Sequence, residues 1–130
     1  MSLVKKKKKI RKARKIRAEQ FDGNIEYKLR LCDFTNTSRI DNLTTQLYYR
    51  LYEGDGKAIY NIGYSDNGNP RGIPMDTLCK NLSLFHTILT TSNCRLLSVN
   101  ILRGIEGYCA NIYLESLKGN IFDDVLSECY

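Results

Sequence analysis

Alternating apolar and polar positions predict the strands in the first half of the chain. Between residues 25 and 31, apolar side chains alternate with charged ones in the sequence IEYKLRL, which is the period of a strand with one buried face. Residues 58–64 are rich in aromatic and branched side chains, and the Asn67-Gly68 dipeptide that follows favours a tight hairpin turn. We therefore expect residues 70–73 to form a short return strand at the edge of the sheet.

Apolar residues at helical spacing predict two helices. The first begins at Ser38, where Asp41 completes an arrangement similar to a capping box. It ends at the Gly-Asp-Gly sequence of residues 54–56, because glycine loses the most backbone entropy in a helix. The second begins at Pro74, whose missing amide hydrogen costs nothing in a first turn, and its apolar stripe runs through residues 75–89.

Two further strands and a short terminal helix complete the predicted body. Residues 96–102 and 108–114 are expected to be strands, and the apolar residues between 121 and 126 indicate a terminal helical turn or two. The order is strand, helix, strand, strand, helix, strand, with an added strand and tail. This order predicts an α+β fold, a ferredoxin-like split βαββαβ sandwich with two helices on one face of an antiparallel sheet and an extra C-terminal strand and helical tail.

Basic residues are concentrated near the start of the chain. Ten of the twenty Lys and Arg residues of this 130-residue chain lie between residues 5 and 17, where there is no acidic residue. Residues 18–130 carry the other ten basic residues and all fourteen acidic ones, a net charge of −4. Because clustered cations repel one another, we expect residues 1–20 to be a basic arm, disordered or partly helical, attached to a single α+β domain at residues 21–130.

The composition of the arm favours phosphate binding. Its few apolar residues are insufficient for the core of a signal peptide or for a membrane-lying helix, so no membrane partner is expected. Lys and Arg displace counterions from a nucleic-acid backbone without reading its sequence. We therefore expect RNA or the ribosome as the partner of the arm, while a nuclear-import or nucleolar signal and a merely solvated tail stay as alternatives. The expected phosphate contacts are Lys5, Lys6, Lys7, Lys8, Lys9, Arg11, Lys12, Arg14, Lys15 and Arg17.

Residue types suited to catalysis or metal binding do not form a recognisable site. The five cysteines are odd in number and contain no Cys-x-x-Cys pair, which fits neither a zinc ribbon nor a disulfide scaffold. Cys79 precedes His86, the only histidine, by seven residues, which is roughly 10 Å along a helix and too far for contact. The adjacent residues Asp123 and Asp124 point to different sides of a helix. We expect no catalytic residue, no metal site and no cofactor in this chain.

Location and the role of the tyrosines follow from composition. The sequence has no signal peptide and no apolar run long enough to cross a membrane, so we expect a cytoplasmic protein, with the nucleus or nucleolus as the alternative. Tyr48, Tyr49, Tyr52, Tyr60 and Tyr64 cluster around the first helix and second strand. We expect them to pack between helix and sheet, the alternative being base stacking on a solvated sheet face.

Four segments carry a resemblance to a known family: NIEYKLRL from Asn24, TQL at Thr45, RLYEGDGKAIYNIGYSDNG from Arg50, and RGI at Arg71. They resemble the N-terminal region of the GTP-binding protein 1/2 family, translational GTPases related to elongation factor one-alpha and to ribosome-rescue factors. The resemblance spans roughly residues 24–114. Its most specific element is a spaced series formed by Glu53, Gly54, Gly56, Ala58, Tyr60, Ile62, Gly63, Asp66 and Gly68.

The chain departs from that family in the chemistry of nucleotide binding. A translational GTPase needs a Gly-x-x-x-x-Gly-Lys-Ser/Thr loop, whose amides hold the phosphates and whose hydroxyl holds magnesium. The only Gly-Lys pair here is followed by Ala58, which has no hydroxyl. The resemblance therefore implies an accessory domain, either part of a longer protein or a separate small relative, that does not itself hydrolyse GTP. We expect its arm to contact RNA or the ribosome and its body to contact a GTPase domain in cis or another protein. The alternative is a protein-interaction adaptor whose arm is a nuclear-import signal, and the oligomeric state is left open.

Overall fold

Two helices and four strands make up the part of the chain that is described. A computed structural model describes residues 10–31 and 37–117, and the side chains of residues 37–39 are not included in that description. In chain order the elements are β1 (Ile25–Lys28), α1 (Thr37–Glu53), β2 (Lys57–Ile62), α2 (Met75–Thr91), β3 (Cys94–Arg103) and β4 (Tyr108–Ser116). The terminal helical turns predicted within residues 121–126 lie outside the described residues.

The four strands form one mixed sheet in the order β1-β2-β4-β3. β1 is parallel to β2, whereas β2 with β4 and β4 with β3 are antiparallel. The parallel pair requires a crossover connection, which α1 supplies. The α+β class is confirmed, and a mixed four-stranded sheet with two helices is compatible with a ferredoxin-like split β-α-β fold, although the fully antiparallel sheet that the sequence predicts is not formed.

The main hydrophobic core lies between the sheet and the two helices. Alternate residues of β2 enter it, because successive side chains of a strand point to opposite faces. Tyr60 is 1% exposed, and its ring lies 4.7 Å from that of Phe85 in α2, centroid to centroid. The apolar stripes predicted for both helices pack there together with the matching face of β4, except that Met75 at the start of α2 is 38% exposed. The most deeply buried members are Leu47, Leu51, Ile62, Leu78, Ile88, Ile112 and Leu114.

The hairpin prediction is half right. Residues 65–69 form the predicted turn, in which the Gly68 amide donates to the Ser65 carbonyl over 2.9 Å. The predicted return strand at residues 70–73 is wrong, because only Ile73 makes a strand-like bridge, and its partner is Tyr108 of β4. Pro70 has no amide hydrogen for a ladder, and α2 begins directly afterwards at Met75. The observed order is therefore βαβαββ, with β3 and β4 forming the hairpin.

None of the described helices combines the length and the apolarity that a bilayer crossing requires.

A buried arginine joins α1 to β1 and to the segment that precedes β1. Arg50 is 4% exposed, and its Nε donates to Oε1 of Glu26 over 3.0 Å. Its Nη1 donates to the carbonyl oxygens of Asp22 and Gly23, over 3.1 and 2.8 Å, and its Nη2 donates to the Gln20 carbonyl over 3.1 Å. One guanidinium thus uses its planar set of donors to fix a stretch of chain without regular structure.

Removing this guanidinium should be costly. We expect Arg50→Ala to lower the free energy of unfolding by about 3–5 kcal/mol, because Glu26 stays buried without its closest partner and three carbonyl oxygens lose a donor. Urea denaturation measures the change. Arg95→Ala is the matched control, since it removes an exposed ion pair with Glu115, for which we expect a loss below about 1 kcal/mol. Equal losses in the two variants would show that Arg50 is not the joint described here.

Candidate nucleic-acid interface

The second half of the basic arm is extended and bound to the body. The Ala13 amide donates to the Arg103 carbonyl over 2.8 Å, and the Arg103 amide donates to the Arg11 carbonyl over 2.8 Å. Farther along, the Ile16 amide donates to Gly68 and the Glu19 amide to Asp66, over 3.0 and 2.7 Å. The sequence predicts disorder or partial helix for residues 1–20; the structure differs for residues 10–20, because backbone hydrogen bonds hold them to β3 and to the 65–69 turn. Residues 1–9 lie outside the described part of the chain.

A small apolar cluster anchors the arm on the face of the sheet opposite the helices. Cys109 alternates with the core residue Ala110 of β4, so it points away from the main core. It forms a separate cluster with Ala13, Tyr27 and Tyr64, each 6% exposed or less. Ile16 of the arm and Leu102 of β3 pack against this cluster. Two of the few apolar residues of the arm therefore act as its anchors.

Polar contacts strengthen this anchor. The Tyr27 hydroxyl donates to the Arg17 carbonyl, and the Tyr27 ring lies 6.4 Å from the Tyr64 ring, centroid to centroid. Burial raises the pKa of the Cys109 thiol to about 11, so this cysteine is a neutral packing residue near neutral pH rather than a nucleophile.

The cations of the docked segment all face solvent. While Ala13 is buried and Ile16 half-buried, the five basic residues around them are exposed, namely Arg11, Lys12, Arg14, Lys15 and Arg17. An extended chain covers roughly 20 Å between residues 11 and 17. Half of the predicted phosphate contacts therefore form an ordered row of charge along one end of the sheet. The other half, Lys5, Lys6, Lys7, Lys8 and Lys9, lie outside the described residues.

The spaced series that carries the family resemblance is a continuous structural unit. Glu53 ends α1, and its carboxylate accepts a hydrogen bond from the Gly23 amide over 3.0 Å. Gly54 and Gly56 form the turn into β2, and Ala58, Tyr60 and Ile62 are its buried face. Gly63 leads out of the strand, and the carbonyls of Asp66 and Gly68 accept the hydrogen bonds of the arm. These residues build the scaffold and the docking turn for the arm.

Gly68 is the position at which the arm and the turn approach most closely. Its φ is +90°, a conformation that side chains other than glycine rarely adopt. A Cβ atom on Gly68 would lie 1.9 Å from the Ile16 carbonyl oxygen, which is far inside van der Waals contact. A glycine is therefore required for the arm to pass here.

Beyond the arm, the same face of the sheet is open and carries two rows of side chains across the strands. In the first row, Asn61, Asn111 and Asn100 lie directly opposite one another on β2, β4 and β3. Nδ2 of Asn111 donates to Oδ1 of Asn61 over 2.8 Å. In the second row, Tyr113 is paired with Ile59 and Ser98, and its side chain is 39% exposed.

Sequence reasoning missed both rows. Each of these residues lies at a position of its strand whose side chain points away from the main core, but only the register between the strands shows that they are neighbours. The five tyrosines singled out from the sequence lie elsewhere. Tyr60 and Tyr64 are buried and Tyr48 packs against the core, whereas Tyr49 and Tyr52 are exposed on α1.

A cleft of about 550 Å³ beside the arm collects acidic groups around Arg50. Glu19, Glu26 and Asp66 contribute to its lining. The pKa of Glu19 is raised to about 7, chiefly by burial and also by the hydrogen bond and charge of Glu26 and the charge of Asp66, while the Tyr27 amide that donates to it over 2.5 Å opposes the rise. Nη2 of Arg50 lies 3.8 Å from Oε2 of Glu19. The segment that joins the arm to β1 thus contains a carboxyl group that titrates near neutral pH.

The remaining chemical candidates are dispersed. Cys79 and His86 are both exposed on α2, and Asp123 and Asp124 lie outside the described residues. Within residues 10–31 and 37–117, no three His, Cys, Asp or Glu side chains are grouped so that they could hold a metal ion.

Comparison with curated proteins confirms the resemblance noted in the sequence. Over 68 residues, or 52% of the chain, it is 43% identical to GTP-binding protein 2 of Mus musculus and to GTP-binding protein 2 of Homo sapiens. The chain spans 11% of the length of these relatives. The match is consistent with a small domain of a GTP-binding protein 1/2 family protein. No protein-family model matches the chain, and no solved structure matches it.

A side chain at position 68 should release the arm. We expect Gly68→Ala to increase the hydrogen-exchange rates of the Ile16 and Glu19 amides by tenfold or more. A tenfold increase corresponds to a loss of about 1.4 kcal/mol in the local free energy of opening. Gly23→Ala is the matched control, because Gly23 has a similar φ of +87° but no atom within 4 Å of the place that a Cβ would take. Equal protection of both amides in the two variants would contradict the close approach at Gly68.

The Glu19 carboxyl should make stability depend on pH. Its pKa in the folded state, about 7, is above its ordinary value of 4.5, so its stabilising contribution is present below pH 4.5 and is lost as pH rises through 7. Glu19→Gln keeps an oxygen acceptor and stays neutral. We therefore expect this variant to melt at a higher temperature than the parent at about pH 8, with a difference that shrinks towards about pH 5. A difference that is constant over this range, or largest at the acid end, would contradict the raised pKa.

Proposed function

We propose that this chain is a noncatalytic accessory domain of a translational GTPase of the GTP-binding protein 1/2 type, and that its basic arm contacts RNA or the ribosome. The observation that carries the proposal is the row of five exposed cations on a segment that backbone hydrogen bonds hold to the body. A solvated tail would have to be ordered when it binds, at a cost in conformational entropy. Cations that are already fixed avoid much of that cost, and phosphates are the anions that such a row suits best.

The proposal assigns nucleotide chemistry to another domain. The sequence contains no Gly-x-x-x-x-Gly-Lys-Ser/Thr loop, the motif that binds the phosphates and magnesium of a nucleotide. The curated relatives are named as GTP-binding proteins, and the segment that they share with this chain is a small fraction of their length. This supports a role in which the GTPase domain lies elsewhere.

The body would then contact a GTPase domain in cis or another protein. β3 is an edge strand, and Leu96 and Leu97 on it are each 48% exposed. Leu96 also borders an apolar cleft of about 100 Å³ between α2 and the sheet, lined in part by Phe85 and Leu89. Exposed apolar side chains on the outermost strand of a sheet are a surface on which another protein domain can pack.

Neutralising the docked cations tests the RNA contact. In a variant with Gln at positions 11, 12, 14, 15 and 17, Ala13 and Ile16 still anchor the arm. We expect the slope of log Kobs against log salt concentration, measured with a structured RNA by fluorescence anisotropy, to fall in magnitude by roughly 3. This expectation follows from a slope of about 0.7 to 0.9 for each phosphate that a cation neutralises, with some of the five side chains not reaching a phosphate.

Lys80→Gln compared with Lys15→Gln is the matched pair for this experiment. Lys80 is exposed on α2, away from the arm, so we expect its replacement to leave affinity and salt slope unchanged, while Lys15→Gln lowers both. An unchanged slope in the five-site variant would overturn the proposal that the docked cations contact RNA and would favour an arm that serves as an import signal.

A further inference from the structure

We propose that the open part of the sheet face beside the arm binds single-stranded RNA, with a base stacked on Tyr113 and with Asn100 and Asn111 bonding to base edges. The inference rests on the proposed RNA contact of the arm and assigns the class of RNA and the residues that hold its bases. We define the open face by Asn100, Asn111, Tyr113, Ser98, Ile59 and Ile25, which are half-buried or exposed on the side of the sheet opposite the helices.

The geometry of the open face suits unpaired bases. Tyr113 lies in the middle of the second row, between Ile59 and Ser98. A partly exposed aromatic ring on a sheet offers a flat apolar platform, and stacking on such a ring tolerates every base. In a duplex the faces of the bases are covered by their neighbours, so only a single strand can use this platform.

The asparagine row supplies hydrogen-bonding groups next to that platform. The amide of Asn111 is oriented by its bond to Asn61 and by a longer one, 3.4 Å, to the Tyr64 hydroxyl. Asn100, opposite it on β3, is exposed. An amide side chain offers both a donor and an acceptor, which matches the edges of all four bases without demanding one of them. The face should therefore bind single strands with weak sequence preference.

Charge on and around the open face is compatible with a polyanion. The docked arm borders the face at the Cys109 end, and Tyr113 is four residues farther along β4, or about 13 Å. The nearest carboxylate beyond these rows on β4 is Glu115, two residues after Tyr113, and it is paired with Arg95, whose Nη2 lies 2.5 Å from Oε1 of Glu115. A strand whose phosphates lie on the arm can therefore place its next bases on the asparagine row and on Tyr113 without meeting an uncompensated negative charge on these rows.

The test compares single-stranded and duplex RNA on the full chain. The probes are a fluorescein-labelled RNA of about 12 nucleotides, within the range of site sizes seen for sheet-type single-strand binders, and a duplex of the same length. We expect Tyr113→Thr to weaken binding of the single strand by about tenfold or more, because a stacked base is lost, and to leave the salt slope and duplex binding unchanged. Threonine retains the β-propensity of the strand.

Three further variants make the result decisive. Tyr113→Phe should retain affinity for the single strand, because the ring is kept, and Asn100→Ala should weaken it severalfold. Tyr52→Ala, which removes an exposed tyrosine on α1, should leave it unchanged. Loss in Tyr113→Phe equal to that in Tyr113→Thr, or equal loss for duplex and single strand, would overturn the inference.

The two proposals fail in different ways. If Tyr113→Thr binds the single strand as tightly as the parent while the five-site arm variant still loses its salt slope, the open face is not a base-binding surface and the arm contact stands. If the arm variant keeps its slope, RNA contact by the docked row of cations is excluded.

Discussion

The close approach of two backbones at Gly68 is the constraint on which the rest of this surface depends. A Cβ atom at position 68 would lie 1.9 Å from the carbonyl oxygen of Ile16. The hydrogen bonds of the Ile16 and Glu19 amides require the arm to lie this close to the turn. Once the arm is held there, Ala13 covers Tyr27, Tyr64 and Cys109, which would otherwise expose apolar surface to water. The small apolar anchors are buried or half-buried while the cations beside them are exposed.

A second joint, at Arg50, continues the same segment into the sheet. Its guanidinium bonds to three carbonyl oxygens between residues 20 and 23 and to Glu26 of β1. Glu19 lies beside this group with a pKa raised to about 7 by burial and by neighbouring acids. Acidic groups are therefore gathered around Arg50 where the positively charged arm joins the sheet. Protonation of Glu19 would relieve repulsion at this root and hold the arm more firmly.

The sequence predicts both helices and most of the strands because their burial follows a regular period. It does not predict that β1 and β2 are parallel, which depends on how α1 crosses over the sheet, or that residues 70–73 form no strand, which depends on where the chain turns after Gly68. The docking of the arm escapes prediction for a related reason. Ten like charges dominate its composition, and two small anchors such as Ala13 and Ile16 form no periodic stripe; only their fit against Tyr27 and Tyr64 shows that they are buried. The sequence also does not predict the row formed by Asn61, Asn111 and Asn100, because only the register of three strands brings these residues side by side.

The ordered row of charge exists only if the arm is part of the folded unit. Nuclear Overhauser effects between the Ala13 methyl group and the ring protons of Tyr27 or Tyr64 measure this directly in solution. We predict cross-peaks from Ala13 to this cluster, together with dispersed amide shifts for residues 13–19. Random-coil shifts for those residues, with no cross-peak from Ala13 to either ring, would contradict the docked arm and with it the ordered row of charge.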